Sequence, residues 1–285
     1  MSGFTTLILD YFSGDELNRF LGYQGAFIGL GGMLFLLIAG FLAELGWEYP
    51  FLIHLFAFIL IPGVIIAIQE PENVKANQMV EDAVRLPWGK LWPIFVTAFI
   101  GMVVFFIFPV QIPFYLAEGG DVTTSQVGLA LSINTLASIF FALTFQWLKS
   151  RLSFKAIFAI IFATFALNHL IVSFSSTYLV VMIGLIVGGA GIGLFPPNNA
   201  GWLAAMTPAA VRGKAVGLMT SVLFLGQFFS PILTQPVVNR FGLSGMFGVA
   251  SGLAFLIAII FSISNMQDKV FSNSYDEQFE LPEQI

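Results

Sequence analysis

Lys155-Ala-Ile-Phe-Ala-Ile-Ile-Phe-Ala-Thr-Phe-Ala-Leu-Asn-His169 opens a stretch, Ala156 to Val211, that holds no Asp, Glu, Lys or Arg and only one residue, His169, that titrates near neutrality. A helix crosses the hydrocarbon in roughly 20 residues, so this run has room for two crossings. Its most polar patch, Ser173-Phe-Ser-Ser-Thr-Tyr178, is where the chain is expected to turn back. The whole sequence shares this character: it is 58% hydrophobic and 9% charged, whereas soluble domains are charged at about a quarter of their residues. Lipid is therefore the solvent. Only closed barrels and helices satisfy their backbone polar groups there, and continuous apolarity without period-two alternation selects helices.

Working outward, six further runs are long enough to span: Phe20 to Ala43, Tyr49 to Gln69, Leu91 to Ala117, Val122 to Leu148, Ala215 to Asn239 and Phe241 to Gln267. The expected fold is an all-α integral membrane protein with eight transmembrane helices. Arg19, then Lys75, Arg85 and Lys90, then Lys149, Arg151 and Lys155, then Arg212 and Lys214, and finally Lys269 fall in alternate loops; of the 11 Lys and Arg only Arg240 falls opposite. The positive-inside rule places those loops and both chain ends in the cytoplasm, with the cell membrane as the expected location. All five tryptophans, Trp47, Trp88, Trp92, Trp147 and Trp202, sit near span ends, as indoles held at headgroup level would. Ser13-Gly-Asp-Glu16 and Thr123-Thr-Ser-Gln126 read as capping boxes, and Thr207-Pro208 as a cap before a first-turn proline.

Composition also narrows function. The net charge of −5 arises from acids in loops and in the tail, Asp276 to Glu283, and offers no footing for nucleic acid. With no cysteine there is no disulfide framework, thiolate metal site or thiol nucleophile. Met1-Ser-Gly-Phe-Thr-Thr6 lacks a basic signal-peptide start, so the apolar segments are expected to stay in the mature protein. A membrane enzyme needs acids, histidines or cysteines gathered at one depth, and every Asp and Glu lies in or beside a loop. No enzyme activity, cofactor or metal is expected. His54 and His169 read as packing or interfacial residues.

The first two spans and the last two align at an offset of 195 residues: Arg19 with Lys214, Gly22 with Gly217, Gly31 with Gly226. Such an echo suits a transporter built from repeated bundles. Phe20-Leu-Gly-Tyr-Gln-Gly-Ala-Phe27 with Gly40-Phe-Leu-Ala-Glu-Leu-Gly-Trp47, and Val211-Arg-Gly-Lys-Ala-Val-Gly217 with Gly226-Gln-Phe-Phe-Ser-Pro231, resemble the major facilitator superfamily of secondary transporters. The resemblance covers nearly the whole chain and corresponds to helices five to twelve of a twelve-helix fold. It implies a remnant of the N-terminal bundle over 1–69, an inter-bundle linker over 70–92, a C-terminal six-helix bundle over 93–264 and an acidic tail over 265–285. Within the linker, the helical spacing of Ala76, Met79, Val80 and Ala83 suggests a short helix on the membrane surface.

Function follows from the resemblance as an expectation: transport of a small solute by alternating access, this chain being a truncated or partial transporter. Taken alone it is then expected to show no uptake. The rival reading is a membrane scaffold or subunit that pairs with another polypeptide. Expected partners are the bilayer, a small-molecule solute, and helices supplied from an upstream segment or a partner. Two family patterns are missing. Gln146-Trp-Leu-Lys-Ser-Arg-Leu-Ser-Phe-Lys155 has Ser150 where the gate loop carries an acid, and Gly31-Gly-Met-Leu-Phe-Leu36 departs from the antiporter motif. Arg151, Lys155, Arg212 and Lys214 remain, by resemblance, as cytoplasmic gate candidates.

Inside the spans, Pro109 and Pro113 each remove a helical hydrogen bond, so the outer half of their helix is expected to kink. Gln111 and Tyr115 stand on that half. Either they touch substrate, as the resemblance to the family's cavity-lining seventh helix implies, or they bond a neighbouring helix. Asn134, Asn198 and Asn199 carry the same two readings, cavity contact or helix-helix hydrogen bonding. Gly184, Gly188, Gly189 and Gly193, like Gly25 and Gly29, make smooth faces suited to close packing or to sliding.

Overall fold

The computed structural model of the protein describes residues 2–55, 58, 61–62, 86–119, 122–175 and 177–279. Its helices are α1 (Ser2–Tyr11), α2 (Gly14–Leu45), α3 (Trp88–Glu118), α4 (Thr124–Leu143), α5 (Phe145–Lys149), α6 (Phe154–Ser173), α7 (Tyr178–Met206) and α8 (Arg212–Phe279). Short 3-10 segments cover Tyr49–Leu55 and Ala209–Val211. Among the described residues six helices are long and apolar enough to cross a membrane. The last of them is long enough for two crossings. Gly242, at φ 72 and ψ 178, breaks α8 into an arm before it, α8a, and an arm after it, α8b, in a conformation that a Cβ would oppose. Beyond its first turn, the expected span from Tyr49 to Gln69 lies mainly outside the described residues, as do the surface helix around 76–83 and the end of the acidic tail.

Local sequence explains where these helices start. Thr123 forms a full capping box with Gln126: the Gln126 amide donates to Thr123 Oγ1 at 3.3 Å and the Thr123 amide to Gln126 Oε1 at 2.8 Å. Ser153 and Thr177 cap α6 and α7 by accepting from Ala156 and Val180. Two expected caps are corrected. Ser13 is extended but makes no side-chain cap, because Gly14 enters α2 at φ 57 and takes the chain out of the register a box requires. Thr207 closes α7 rather than opening the next helix, its hydroxyl donating to Leu203 O at 2.7 Å. The third span also begins earlier than expected: α3 starts at Trp88, within residues assigned to the linker, and runs as one helix through Pro93, Pro109 and Pro113.

Helices α3, α4, α6, α7, α8a and α8b pack into one bundle, with α2 laid along α4 and α7, and α1 against α8a. Lipid tails are as apolar as leucine, so small residues and interhelical hydrogen bonds decide which helices meet. Ser230 Oγ donates to Val103 O at 2.8 Å, tying α8a to α3, and Ser251 Oγ donates to Ala166 O at 2.8 Å, tying α8b to α6. Between α2 and α4 the contact is backbone to backbone: a Cβ added to Gly22 would lie 2.6 Å from the Ala142 carbonyl oxygen, and one on Gly40 3.2 Å from the Gly128 Cα. Between α4 and α7, a Cβ on Gly189 would lie 2.6 Å from Asn134 O, and one on Gly193 would overlap the Ser138 carbonyl.

The bundle centre is aromatic. Phe108, Phe158, Phe162, Phe165 and Phe247 are wholly buried, and Phe261 stacks on Phe158 and Phe162 with centroids at 5.2 and 6.1 Å. Trp202 joins this cluster, 5.5 Å from Phe158 and 8% exposed, so it is a core residue and not the interfacial anchor its position suggested. The other four tryptophans are exposed.

Candidate functional site

A cavity of about 310 Å³ lies between α1 and α2 on one side and α3, α7 and α8a on the other. Its wall is mainly aliphatic and aromatic: Leu21 and Ile28 from α2, Met102 from α3, Phe195 and Leu203 from α7, and Met219 and Leu223 from α8a. Five polar side chains interrupt it, Thr5, Gln24, Asn199, Thr220 and Gln227. Pro196 and Pro197 add the kinkable stretch of α7 to the wall. Near the basic end of the bundle, where α1 ends and α8a begins, Arg212 Nη1 donates to Leu9 O at 3.0 Å. That bond joins a guanidinium to the last turn of α1, whose carbonyls carry partial negative charge. It holds the two sides of the cavity together at that end.

The structure brings only part of the expected site to this cavity. Asn199 reaches its wall; its Nδ2 donates to Phe195 O at 2.8 Å along its own helix. Asn198 points elsewhere and donates to Phe154 O of α6 at 3.1 Å. Asn134 Nδ2 donates to Leu185 O of α7 at 2.6 Å. Tyr115 sits at the far end of the bundle, its hydroxyl 2.9 Å from Val172 O, Ser175 O and Ser175 Oγ. Gln111 is buried in α3 and does not line this cavity. Helix-helix bonding is thus the role the geometry displays for Asn134, Asn198 and Tyr115.

The basic residues separate in the same way. Arg212 bridges α8a and α1, as described, while Lys214 is exposed. Arg151 is exposed with its guanidinium 4.2 Å over the Trp147 ring, and Lys155 is half-buried on the first turn of α6. His169 is fully buried between Phe108, at 4.3 Å, and Phe247, at 5.9 Å, with Nδ1 2.6 Å from Phe165 O. It is a packing residue of the bundle interior. Gln24 and Gln227 were not singled out in the sequence. The signal that marked Asn134, an uncharged amide well inside an apolar span, applied to both.

Helices from two sides of the bundle line this cavity, and the sequence profile described as Major Facilitator Superfamily matches residues 1–123 and 94–274. The chain belongs to the major facilitator superfamily. Membership makes it a multi-pass integral membrane protein of a transporter family. A superfamily fold is also what the solved structures share with it. The crystal structure of the human organic anion transporter MFSD10 (TETRAN) superposes with a TM-score of 0.73 at 15% identity, over 91% of this chain and 67% of that one. Among curated protein sequences, none matches this chain.

Proposed function

We propose that the protein takes part in secondary transport of a small organic solute by alternating access, with the cavity between α1–α2 and α3–α7–α8a as the solute chamber. The supporting observation is the double origin of its wall: separating the two sides opens the cavity, and closing them covers what it holds. The basic end is taken as the cytoplasmic end by the positive-inside rule, which puts both termini inside, and the cell membrane is the membrane proposed. In the arrangement described, Arg212 on the Leu9 carbonyl closes the cytoplasmic side. Arg212 is the gate residue of the four considered. Domain limits near the linker and near Ser264 follow from the same reading.

The absence of cysteine makes the test clean, since a single introduced thiol is the only one present. Leu223→Cys places it on the cavity wall. Alternating access requires an impermeant maleimide to modify this thiol from either face of the membrane; modification from one face only, whatever the conditions, would sink the proposal. A charge-assisted hydrogen bond contributes about 1.5–3 kcal/mol, so Arg212→Ala is expected to speed labelling from the cytoplasmic face roughly tenfold. An unchanged rate would remove Arg212 from the gate.

One observation favours a second reading, that of a subunit completed by another polypeptide. Phe27, Leu34, Ile38 and Phe41 of α2 are exposed, and only 11% of its most apolar window is buried, the least of the six. Cross-linking from α2 in native membranes separates a protein partner on this face from lipid.

A further inference from the structure

We infer that this chamber takes an uncharged, predominantly apolar organic molecule bearing one hydrogen-bonding group, held between Gln24 of α2 and Gln227 of α8a. The inference rests on the cavity being the solute site and adds what that solute must be. Among the described residues lining it there is no Asp, Glu, Lys, Arg or His. An ion entering would lose hydration with no opposite charge to replace it. Human MFSD10 is an organic anion transporter, but no cationic side chain among the described residues of the present wall answers an anion.

Two carboxamides supply the polar recognition, one from each side. Gln24 spends its Nε2 on Thr5 Oγ1 at 2.8 Å, which fixes the side chain and leaves Oε1 unengaged among the described residues. Gln227 is half-buried on the wall, and its carboxamide has no protein partner among the described residues. In an apolar enclosure such groups discriminate strongly, since a ligand unable to pair with them leaves them desolvated and unmatched. At about 310 Å³ the chamber is at the small end of ligand sites, large enough for a bicyclic ring system. Because the two amides sit on opposite sides, a solute that engages both also draws the sides together, linking occupancy to closure.

Five indoles test this: indole, 1-methylindole, indole-3-acetate, tryptamine and, as the neutral control matched in size to the two ions and expected to bind tighter than both, indole-3-acetamide, measured as saturable binding to the purified chain in lipid nanodiscs, with empty nanodiscs subtracted. Indole is expected to bind roughly tenfold tighter than 1-methylindole, which lacks the N–H, and tighter than either ion. Gln227→Leu should shrink the difference between indole and 1-methylindole while leaving 1-methylindole unchanged, Gln227→Asn should restore part of it, and Gln24→Leu combined with Gln227→Leu should erase it. Equal affinity of indole and 1-methylindole, or tightest binding by indole-3-acetate or tryptamine, overturns the inference and leaves the cavity as a solute site. Absence of saturable binding by all five overturns the solute site as well.

Discussion

Asn198 and Asn199, neighbours on α7, use the same side chain differently. Asn198 donates to Phe154 O on α6, and Asn199 folds back to Phe195 O and shows its other face to the cavity. Both leave Oδ1 buried without a partner among the described residues. Sequence could mark these amides as costly in lipid but not choose between cavity and helix contact, because adjacent helical positions face directions about 100° apart. Tyr115 illustrates the other outcome. Its hydroxyl gathers the last carbonyls of α6 with Ser175, and its ring meets Phe247 edge-on at 5.4 Å. Tyr115→Phe removes those hydrogen bonds and keeps the ring, so it should cost about 1 kcal/mol and lower the thermal unfolding midpoint by a few degrees. No loss of stability would mean that the hydroxyl leaves α6 and is satisfied elsewhere.

At the scale of the element, glycines carry the most information. The sequence paired Gly22 with Gly217 and Gly31 with Gly226. In the structure one member of each pair is tight and the other open: an added Cβ at Gly22 meets the Ala142 carbonyl and one at Gly226 meets Phe99 O at 2.8 Å, whereas at Gly31 and Gly217 it would have nothing within 4 Å. A side chain at Gly22 must push α2 off α4, so Gly22→Val should cost about 2–3 kcal/mol and lower the yield of folded protein. Gly31→Ala and Gly217→Ala relieve helix entropy without a collision and should be neutral or stabilise by up to about 1 kcal/mol. Thermal midpoints in detergent read all three; a tolerated Gly22→Val would show that α2 does not lie this close to α4. The apolar runs located the described long helices, with starts displaced by up to six residues, from Phe20 to Gly14 in α2. They could not say which glycine faces a neighbour, since that depends on rotation about each helix axis, which only packing sets.

For the whole molecule the basic loops make the sharpest statement. If the basic end is cytoplasmic, Lys214→Cys should resist an impermeant thiol reagent in sealed cells and react after permeabilisation, while Arg240→Cys should react in sealed cells. The reverse pattern would invert the protein in the membrane. The Gly242 break divides the last long helix beside Arg240, the one cation that the sequence reading assigns to the far side. Fold and family were legible from the chain alone at this scale, since eight apolar runs, alternating basic loops and the resemblance of the helix-five and helix-eleven regions all speak of the same architecture.

The amino-acid sequence by itself determined the solvent, the secondary structure and the family. Each depends on sums over some twenty residues, where hydropathy outweighs any single side chain. The tertiary structure alone decided that Trp202 and His169 are interior, that Arg212 rather than Lys214 joins two sides of the cavity, and that Gln24 and Gln227 line the same cavity from different helices. In lipid no hydrophobic gradient tells one face of a helix from another, so steric fit and a few hydrogen bonds rotate each helix into place, and those terms become visible only when the neighbours are present.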